Sequence, residues 1–340
     1  STIACSRPPP PITKTFFISV ISNFREYTIF PANILNFAMY SYQDMKHITF
    51  TSLLLLLAAV FSYGQERSGL LNAEDSLAFE NAEWQVTDLG KGAEAMYTQV
   101  KMFDSMQSIC VIRYPARRFR TGFRHCPESE AGKTSVLAER AEADMAINGG
   151  YFDNGPVPCV YFRIGDETFS LTKPKEAKLR VNAVIGFKDR RGKKMMISRC
   201  AADEYEEVTG NWHSVMATGP LLVEDGGIVV PESYAKAYPE RKTGDFYDGR
   251  HPRSIIGNDD DGNIYMIVID GRHKDNADGT TIYQTALISH LLGLTDAINL
   301  DGGGSSALWS KETGVLNHPS DNRVFDHKGE RTIPNIIGAF

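Results

Sequence analysis

The chain lacks several features that would assign it to a broad class of protein. Its 340 residues include only 5 cysteines and 3 tryptophans, and 36 basic residues are outnumbered by 42 acidic ones, which gives a formal net charge of −6. An acidic chain has no general attraction for nucleic acid or for an anionic membrane surface, so neither is expected as a partner. Any phosphate that the protein binds must therefore be held by a few local arginines.

Cysteine is too scattered to indicate a zinc site, because no two cysteines form a close pair. Apart from Cys5 near the N terminus, the cysteines are Cys110, Cys126, Cys159 and Cys200. In an exported protein these four allow three disulfide connectivities, and buried free thiols are the alternative. The sequence does not choose between disulfides and free thiols.

Long apolar runs are also scarce, and the clearest one is too short to cross a membrane. A basic start at Met45-Lys-His precedes the apolar stretch 53–61, and small residues follow before Gln65. This order is typical of a secretory signal peptide, here 45–64, and not of a membrane anchor. We therefore expect a chain exported to the periplasm or the extracellular space, without a stable membrane anchor.

The remaining sequence predicts one domain with an α+β fold. Residues 1–44 are expected to be an upstream extension outside the fold, whereas no linker divides 65–340. We expect a mixed, largely antiparallel sheet with packed helices and a polar cleft at the strand ends. Helical spacing is clearest at 280–292, with Thr280 as the expected N-cap and Gly293 after the last turn. The expected strands include 145–148, 181–187, 194–198, 214–218, 221–224, 254–257, 264–270 and 296–300.

The most informative segment runs from an apolar strand through one carboxylate into three glycines and two hydroxyls. Asp301 follows the strand, and after it come Gly302, Gly303, Gly304, Ser305 and Ser306. Glycine lets a backbone approach a ligand closely and point N–H groups at an anion. The same residue types also build ordinary capped turns. The segment alone leaves an active-site loop and a structural turn as alternatives.

Three further segments place polar residues at a strand end or in a tight turn, where they can line the same cleft. They are Asn148-Gly149-Gly150, Pro252-Arg253 and Asp270-Gly-Arg272. Asn299, just before the glycine run, belongs to the same set. Each segment alone is typical of a turn, but the combination favours a functional site.

With these segments the sequence resembles the phosphodiester glycosidase family over about residues 140–340. The matching motifs are Asn148-Gly-Gly-Tyr-Phe152, Thr218-Gly-Pro220, His251-Pro-Arg253, Asp270-Gly-Arg272, Asn299-Leu-Asp-Gly-Gly-Gly-Ser-Ser306, Asn317-His-Pro-Ser-Asp321 and Glu330-Arg331 followed by Pro334-Asn335. The resemblance implies hydrolysis of a sugar-1-phosphodiester, of the α-N-acetylglucosaminyl kind, with release of the sugar from phosphate. The expected partner is a sugar phosphodiester or another phosphate-bearing glycan.

The implied reaction needs cations for the phosphate and carboxylates near the sugar. Arg253 and Arg272 would supply planar, permanently charged donors to the phosphate. Asp301 is the expected carboxylate beside the anomeric carbon, with Asp270 or Glu330 as its partner. The other expected contacts to phosphate or sugar come from Asn148, Gly149, Gly150, Asn299, Gly302, Gly303, Gly304, Ser305 and Ser306.

The same residues allow two other interpretations. In the first, the two arginines form structural ion pairs with Asp270 and Asp301 and bind no phosphate. In the second, the run from Gly303 to Ala307, which comes within one residue of a nucleophile elbow, makes the protein a serine hydrolase. A metal is a further open question, because Asp270, Asp301 and Glu330 together could hold calcium or magnesium beside a phosphate.

A non-catalytic function is the main alternative to hydrolysis. An exported glycan-binding module of the cell envelope would stack sugars on aromatic rings, and the candidates are Tyr151, Trp212, Tyr247 and Trp309. Large rings are also the residues that dominate buried cores. Residues 225–250 show little periodicity and are expected to form a loop or lid over the cleft.

Overall fold

The computed structural model describes residues 73–241 and 245–340. The expected signal peptide (45–64) and upstream extension (1–44) lie outside the described residues and stay predictions. Within the described part, every strand pairing is antiparallel. The α+β class with largely antiparallel strands is confirmed. The expected mixed sheet is corrected, because no parallel pair occurs among the described strands.

The strands are numbered in chain order. They are β1 Gln85–Gly90, β2 Ala93–Met102, β3 Ser105–Pro115, β4 Thr121–His125, β5 Met145–Asn148, β6 Phe152–Asp153, β7 Val157–Pro158, β8 Phe162–Ile164, β9 Glu167–Ser170, β10 Ala183–Phe187, β11 Met195–Arg199, β12 Ser214–Thr218, β13 Leu221–Glu224, β14 Gly227–Ile228, β15 Arg253–Asn258, β16 Asn263–Ile269, β17 Asp296–Asn299, β18 Leu308–Ser310, β19 Gly314–Val315 and β20 Asn335–Ala339.

The described helices are short and few. The α-helices are α1 Ala73–Glu80, α2 Thr134–Arg140, α3 Pro174–Leu179, α4 Tyr205–Thr209, α5 Tyr234–Ala237 and α6 Ile282–Leu291, and single 3-10 turns occur at Ala116–Arg118, Glu128–Glu130 and Gly303–Ser305. None of these helices is long and apolar enough to cross a membrane.

Three sheets and one ribbon contain all these strands. The central sheet has the order β1-β2-β3-β16-β15-β17-β13-β14, the second sheet β11-β10-β12-β8-β9 and the third sheet β19-β18-β5-β20-β4, while β6 and β7 form the ribbon. The single expected sheet is therefore divided into several.

The central sheet is buried on both faces. On β3, Cys110, Ile112 and Tyr114 face the main core, to which all three sheets contribute. Ile109 and Val111 face a second core, which contains residues of α1 and α6. Since a strand covered on both sides has no polar face, these strands are continuous apolar runs in the sequence and show no alternation.

The four cysteines of the described part are free thiols, three of them buried. Burial, together with nearby carboxylates, raises the pKa of Cys159 to about 12 and that of Cys200 to about 11. The thiols therefore stay protonated at neutral pH. Of the two alternatives left open for these cysteines, the structure has the free thiols.

The loop that follows β17 passes from the central sheet to the third sheet. β17 pairs with β15 and β13, whereas β18 pairs with β5 and β19. Residues 300–307 connect the two sheets beside the end of β5 and the start of β15. The glycine-rich run is thus held between two rigid sheets and not on a free hairpin.

The N-cap of α6, the helix with the clearest sequence pattern, lies one residue later than expected. Thr281, and not Thr280, caps it: the Thr281 hydroxyl accepts the N–H of Gln284 at 3.1 Å, and the Gln284 side chain accepts the N–H of Thr281 at 3.0 Å. Thr280 is buried and its hydroxyl lies 2.9 Å from that of Thr285. Gly293 follows the helix with φ +80°, as expected for a residue at that position.

Replacing Thr281 by alanine should lower the free energy of unfolding by about 1 kcal/mol, because the reciprocal capping bonds are lost. Thr295→Ala is the matched control, since its hydroxyl binds only the exposed Asp260, and it should change the value by less than about 0.5 kcal/mol. Urea unfolding measures both. Equal effects would contradict the capping role.

Candidate functional site

Asn148 at the end of β5 fixes the backbone on both sides of the glycine loop, residues 302–306. Its Nδ2 donates to the carbonyl of Asp301 at 2.7 Å. Its Oδ1 accepts from the Ser254 hydroxyl at 2.7 Å and from the N–H of Ala307 at 3.2 Å. Asn148 is 1% exposed. It therefore positions the loop and does not reach solvent as the expected substrate ligand would.

Asn299 has a similar place on the other side of the loop. Its Nδ2 donates to the carbonyls of Leu300 at 2.7 Å and Gly219 at 3.1 Å, and to the Tyr151 hydroxyl at 2.9 Å. Asn299 is also 1% exposed. Its side chain connects β17 to the Thr218-Gly-Pro220 motif, so it too is a positioning residue.

Gly149 and Gly150 are required by close packing. A Cβ on Gly149 would lie 1.9 Å from Oδ1 of Asn335, and one on Gly150 would lie 2.7 Å from Sδ of Met216. Both N–H groups already donate to Asn335, to its carbonyl at 3.0 Å and its Oδ1 at 2.9 Å. These two glycines do not offer N–H groups to an anion, in contrast to the expectation.

The glycine loop admits two guanidinium groups because it has no side chains there. A Cβ on Gly303, which has φ +64°, would lie 2.8 Å from Nη2 of Arg272. A Cβ on Gly304 would lie 2.4 Å from Nη2 of Arg331 and 2.4 Å from Oδ1 of Asp321. Arg272 and Arg331 therefore lie directly against the loop backbone, where any other residue would displace them.

Most N–H groups of the loop are bonded within it. The acceptors are Oδ1 of Asp301 for Gly302 (3.0 Å), the carbonyl of Pro252 for Gly303 (2.9 Å), the carbonyl of Gly302 for Ser305 (3.2 Å) and the carbonyl of Gly303 for Ser306 (3.2 Å). Only the Gly304 N–H lacks an acceptor among the described residues. The hydroxyls of Ser305 and Ser306 are buried and also have no partner in that part of the chain.

These buried hydroxyls do not support the serine hydrolase alternative. A nucleophilic serine must be reached by its substrate as well as activated by a base, and Ser305 and Ser306 are each only 1% exposed.

The carboxylate of Asp301 lies at the start of the loop and is partly buried. Burial raises the pKa of Asp301 above its ordinary value, and the Ser305 hydroxyl together with Arg180 and Arg331 opposes this increase. A raised pKa in a partly accessible carboxylate beside cations is typical of functional sites.

Arg272 is exposed and has no hydrogen-bond or ion-pair partner within the described part of the chain. Partial desolvation and the charge of Arg331 lower its pKa, while Asp321 and Asp301 oppose this. Arg331 is paired with Asp321, whose Oδ1 accepts from Nη2 at 2.5 Å and from Nε at 3.0 Å. Arg272 is therefore the cation that retains its full set of donors for an anion.

Arg253 does not lie with Arg272. It is 2% exposed, and it donates to the carbonyls of Thr280 at 3.0 Å, Phe246 at 2.8 Å and Gly249 at 3.0 Å. Burial lowers its pKa to about 10, so it is still charged at neutral pH. The structure thus places Arg253 as a support for the chain at 246–250 and not as an accessible phosphate ligand, and it forms neither of the ion pairs considered above.

Asp270 is fully committed to internal hydrogen bonds. Its Oδ2 accepts from the Ser108 hydroxyl at 2.7 Å and lies 3.1 Å from Nδ1 of His318, while its Oδ1 accepts from Nδ2 of Asn317 and the N–H of His318, both at 2.9 Å. Asp270 is 1% exposed. It orients His318 and has no free position for a sugar, which corrects the expected direct role.

His318 lies in one of the matching motifs, but the sequence analysis gave it no role. Its ring is held by Asp270 on one side and stacks on Phe325, with ring centres 3.7 Å apart and planes at 9°. The neighbouring Asn317 donates to the carbonyl of Ser306 at 3.1 Å. The histidine therefore stands one residue from a direct contact with the glycine loop. The sequence could have indicated this residue, because Asp270 and His318 both lie in the motifs that match the family.

Glu330 caps a helix. Its two carboxylate oxygens accept the N–H and the hydroxyl of Ser135, at 2.9 and 2.6 Å, in the first turn of α2. The N-cap of α2, Lys133, supplies no side-chain bond of its own. A carboxylate at a helix N terminus is stabilising, so Glu330 has a structural role in place of the expected catalytic one.

Arg180 is a cation near Asp301 that no motif indicated. Its guanidinium lies 3.8 Å from the centre of the Tyr151 ring, and its Nε donates to Glu176 at 2.5 Å. Burial alone would lower the pKa of Arg180, but Tyr151, Glu176 and Asp301 raise it above its ordinary value.

The three carboxylates expected to share a metal do not meet. No group of three or more His, Cys, Asp or Glu side chains with metal-binding spacing occurs among the described residues, and Asp270 and Glu330 already accept hydrogen bonds. A divalent cation would therefore have Asp301 as its accessible carboxylate.

The aromatic rings proposed to stack on glycans are in the core. Tyr151, Trp212, Tyr247 and Trp309 are 0%, 7%, 6% and 5% exposed. Sugar stacking needs exposed rings, so these four buried rings do not support a glycan-binding module.

Comparison with known proteins gives the family. The sequence profile described as phosphodiester glycosidase matches residues 141–340, which contain every site residue named above. The chain belongs to the phosphodiester glycosidase family. The matched region begins just before β5 and includes the strands beside the glycine loop, namely β5, β15, β17 and β18.

Two curated relatives of this phosphodiester glycosidase are mammalian. The N-acetylglucosamine-1-phosphodiester alpha-N-acetylglucosaminidase of Homo sapiens is 24% identical over 201 residues, which are 58% of this chain and 37% of the human protein. The Bos taurus enzyme is 23% identical over 201 residues, 58% of this chain and 36% of the bovine protein. The chain thus spans little more than a third of the length of these relatives.

Solved structures share the fold. The zebrafish N-acetylglucosamine-1-phosphodiester alpha-N-acetylglucosaminidase catalytic domain, auto-inhibited by its pro-peptide, superposes with a TM-score of 0.54 at 17% identity, over 76% of this chain and 87% of that one. A hypothetical protein from Synechocystis superposes with a TM-score of 0.52 at 17% identity, over 76% and 64%. At this identity the similarity concerns the fold.

Glu330→Ala should lower the free energy of unfolding by about 1–2 kcal/mol through loss of the cap on α2, with kcat and KM on any substrate unchanged. Glu139→Ala, on the exposed side of the same helix, is the control and should cost less than about 0.5 kcal/mol. Denaturant unfolding and steady-state kinetics decide the matter. A collapse of kcat in a folded Glu330 variant would restore the catalytic assignment.

Proposed function

We propose that this protein hydrolyses a sugar-1-phosphodiester at the bond between the anomeric carbon and the phosphate oxygen, and that the sugar is an α-linked N-acetylglucosamine or a close analogue. The observation that carries the proposal is the position of the Arg272 guanidinium against the glycine loop that follows Asp301, where residues 302–304 have no side chains. A carboxylate for the sugar and an unpaired guanidinium for the phosphate are the two groups the reaction requires. The names of the two mammalian relatives support the sugar class.

Arg272 and Arg331 hold the phosphate in this mechanism. Arg272 has no competing acceptor in the described part of the chain, so it provides a fork of two parallel donors to the phosphate oxygens. Arg331 donates to Asp321 through Nε and Nη2, and its positive charge also attracts the phosphate. The Gly304 N–H is the remaining unbonded donor of the loop. These groups stabilise the charge that develops on the departing phosphate.

Asp301 acts on the sugar. Its ionised carboxylate stabilises or attacks the oxocarbenium-like anomeric carbon. A phosphate bound by arginines leaves as an anion without a proton, so the reaction needs no carboxylic acid on the leaving group, in agreement with the internal bonding of Asp270 and Glu330. His318, oriented by Asp270, is the proton-transfer group, and we assign to it the proton of the attacking water.

Incubation of the chain from Gln65 onward with a panel of sugar-1-phosphodiesters tests the proposal. Wild type should release free sugar, and Asp301→Asn should lower kcat/KM by at least about 10³-fold. The matched control is Asp296→Asn, at the other end of the same strand β17, where burial also raises the pKa of the carboxyl. It should retain activity.

No release from any substrate by a folded wild type, with and without added calcium or magnesium, would contradict the function. Equal losses in the two variants would instead show that the assay reports damage to β17 and not chemistry at Asp301.

The raised pKa of Asp301 gives a pH-dependent stability. Burial makes the ionised form costly in the folded state only, so its penalty is fully present above the folded pKa and absent below about pH 4, the ordinary range of Asp. Asp301→Asn should therefore raise Tm at pH 7 and leave it unchanged near pH 3.5. Thermal unfolding at the two pH values measures this, and an Asn variant less stable at pH 7 would contradict the desolvation cost.

A further inference from the structure

A cavity of about 140 Å³ lies between the end of α3, residues 229–241 and Tyr247. Its charged lining is wholly basic: Lys178, Arg180, Arg199 and Arg241 line it, and no carboxylate is among the described residues that do so. In a chain with a net charge of −6, this concentration of positive charge is local and specific. An anion is the ligand that such a cavity favours.

The arginines keep donors for a ligand even though each has a neighbouring carboxylate. Nη2 of Arg199 lies 3.0 Å from Glu224, and Nε of Arg241 lies 3.9 Å from Glu240. Both arginine side chains are 53% exposed. Because a guanidinium has five N–H donors, one partner of this kind leaves the other side of each fork open to the cavity.

Tyrosine rings form a wall of the same cavity. Tyr234 stacks on Tyr247, with centres 3.7 Å apart and planes at 16°, and Tyr238 packs on Tyr234 at 4.6 Å. Nη1 of Arg241 donates to the Tyr234 hydroxyl at 3.0 Å, which fixes the guanidinium at the rim. Tyr238 is 37% exposed whereas Tyr234 and Tyr247 are buried, so Tyr238 is the ring that can contact a polyol or sugar with an anionic group.

The cavity adjoins the candidate active site through Arg180. This residue lines the cavity, lies over the Tyr151 ring and contributes to the potential at Asp301. Pro220, which also lines the cavity, follows Gly219, whose carbonyl accepts from Asn299 and Tyr151. Arg180 and Pro220 are therefore shared by the cavity and by the residues that surround Asp301.

Resting on the proposed function, we propose that this cavity binds a second anionic group on the alcohol side of the phosphodiester. The substrate class is then a sugar-1-phosphodiester whose alcohol bears a further phosphate or carboxylate, as in one unit of a phosphate-linked polymer. The volume suits one such group with part of its polyol, since whole-ligand pockets are several times larger.

The test compares substrates that share one sugar and differ in the alcohol. One alcohol is glycerol or a longer polyol, the second is the same polyol with a terminal phosphate, and the third carries a terminal carboxylate. Wild type should prefer an anionic alcohol by about tenfold in kcat/KM, mainly through a lower KM. The better of the two anionic substrates identifies the anion. Equal values for all three alcohols would overturn the proposal.

Arg199→Gln and Arg241→Gln should each reduce the preference ratio between anionic and neutral alcohols, and the double variant should bring it close to one. The matched control is Arg113→Gln, which also removes a half-exposed arginine paired with a glutamate, Glu94 at 2.7 Å, but away from the cavity. It should keep the wild-type ratio. A ratio that falls equally in the control would overturn the assignment to the cavity.

A binding measurement separates failure of this inference from failure of the proposed function. Calorimetric titration of wild type with the polyol bisphosphate and with the polyol monophosphate needs no turnover. Tighter binding of the bisphosphate, lost in the Arg199→Gln/Arg241→Gln protein, supports the cavity even if no sugar is released from any substrate. Equal binding of both ligands in active protein overturns the cavity and leaves the proposed hydrolysis standing.

Discussion

The hydrogen bonds of one buried amide determine where the functional groups lie. Asn148 joins the third sheet, through its own strand β5, to β15 of the central sheet, and holds the backbone before and after the glycine loop. A buried amide with all these bonds made is rigid, and a half-bonded one would be costly. The loop can consist of residues without side chains because its path is imposed from outside by Asn148.

Function in this molecule is concentrated in the polar groups that the fold leaves unsatisfied. Asp270, Glu330 and Arg253 each have their hydrogen-bonding capacity used within the protein. Arg272 has no acceptor in the described part of the chain, and the hydroxyls of Ser305 and Ser306 have no partner there. Buried polar groups are mostly paired, so these unpaired groups beside Asp301 support a ligand site at the loop. Buried unpaired atoms also occur elsewhere in the described part, as at Gln107 and His125. The raised pKa of Asp301 fits the same pattern, because burial removes water from its carboxylate and the protein groups around it compensate only in part.

The strands were largely predictable because local pattern determines them: 214–218 and 221–224 have the expected bounds, and β17 ends one residue early. The division into three sheets was not, because pairing depends on contacts between distant residues. The site shows the same limit. The motifs include Asp301 and Arg272, and the Arg272 guanidinium lies against the glycine loop that follows Asp301. The motifs did not show that Glu330 accepts hydrogen bonds from Ser135, or that Arg253 donates to the carbonyls of Phe246, Gly249 and Thr280. Residue type alone could not show that Glu330 caps a helix and that Arg253 supports a loop backbone, instead of acting in catalysis.

The residues proposed for hydrolysis lie inside the family motifs, whereas those proposed to select the substrate lie between the motifs. Asp301, Arg272 and Arg331 lie in the motifs that identify the family, where one glycine loop constrains them together. Arg199 and Arg241 lie between those motifs, at the end of β11 and in the segment 229–241. A fold built in this way can keep the hydrolytic site fixed while the charge of the adjoining cavity changes. The anionic alcohol inferred from that cavity is therefore a property of this chain, and the phosphodiester bond a property of its family.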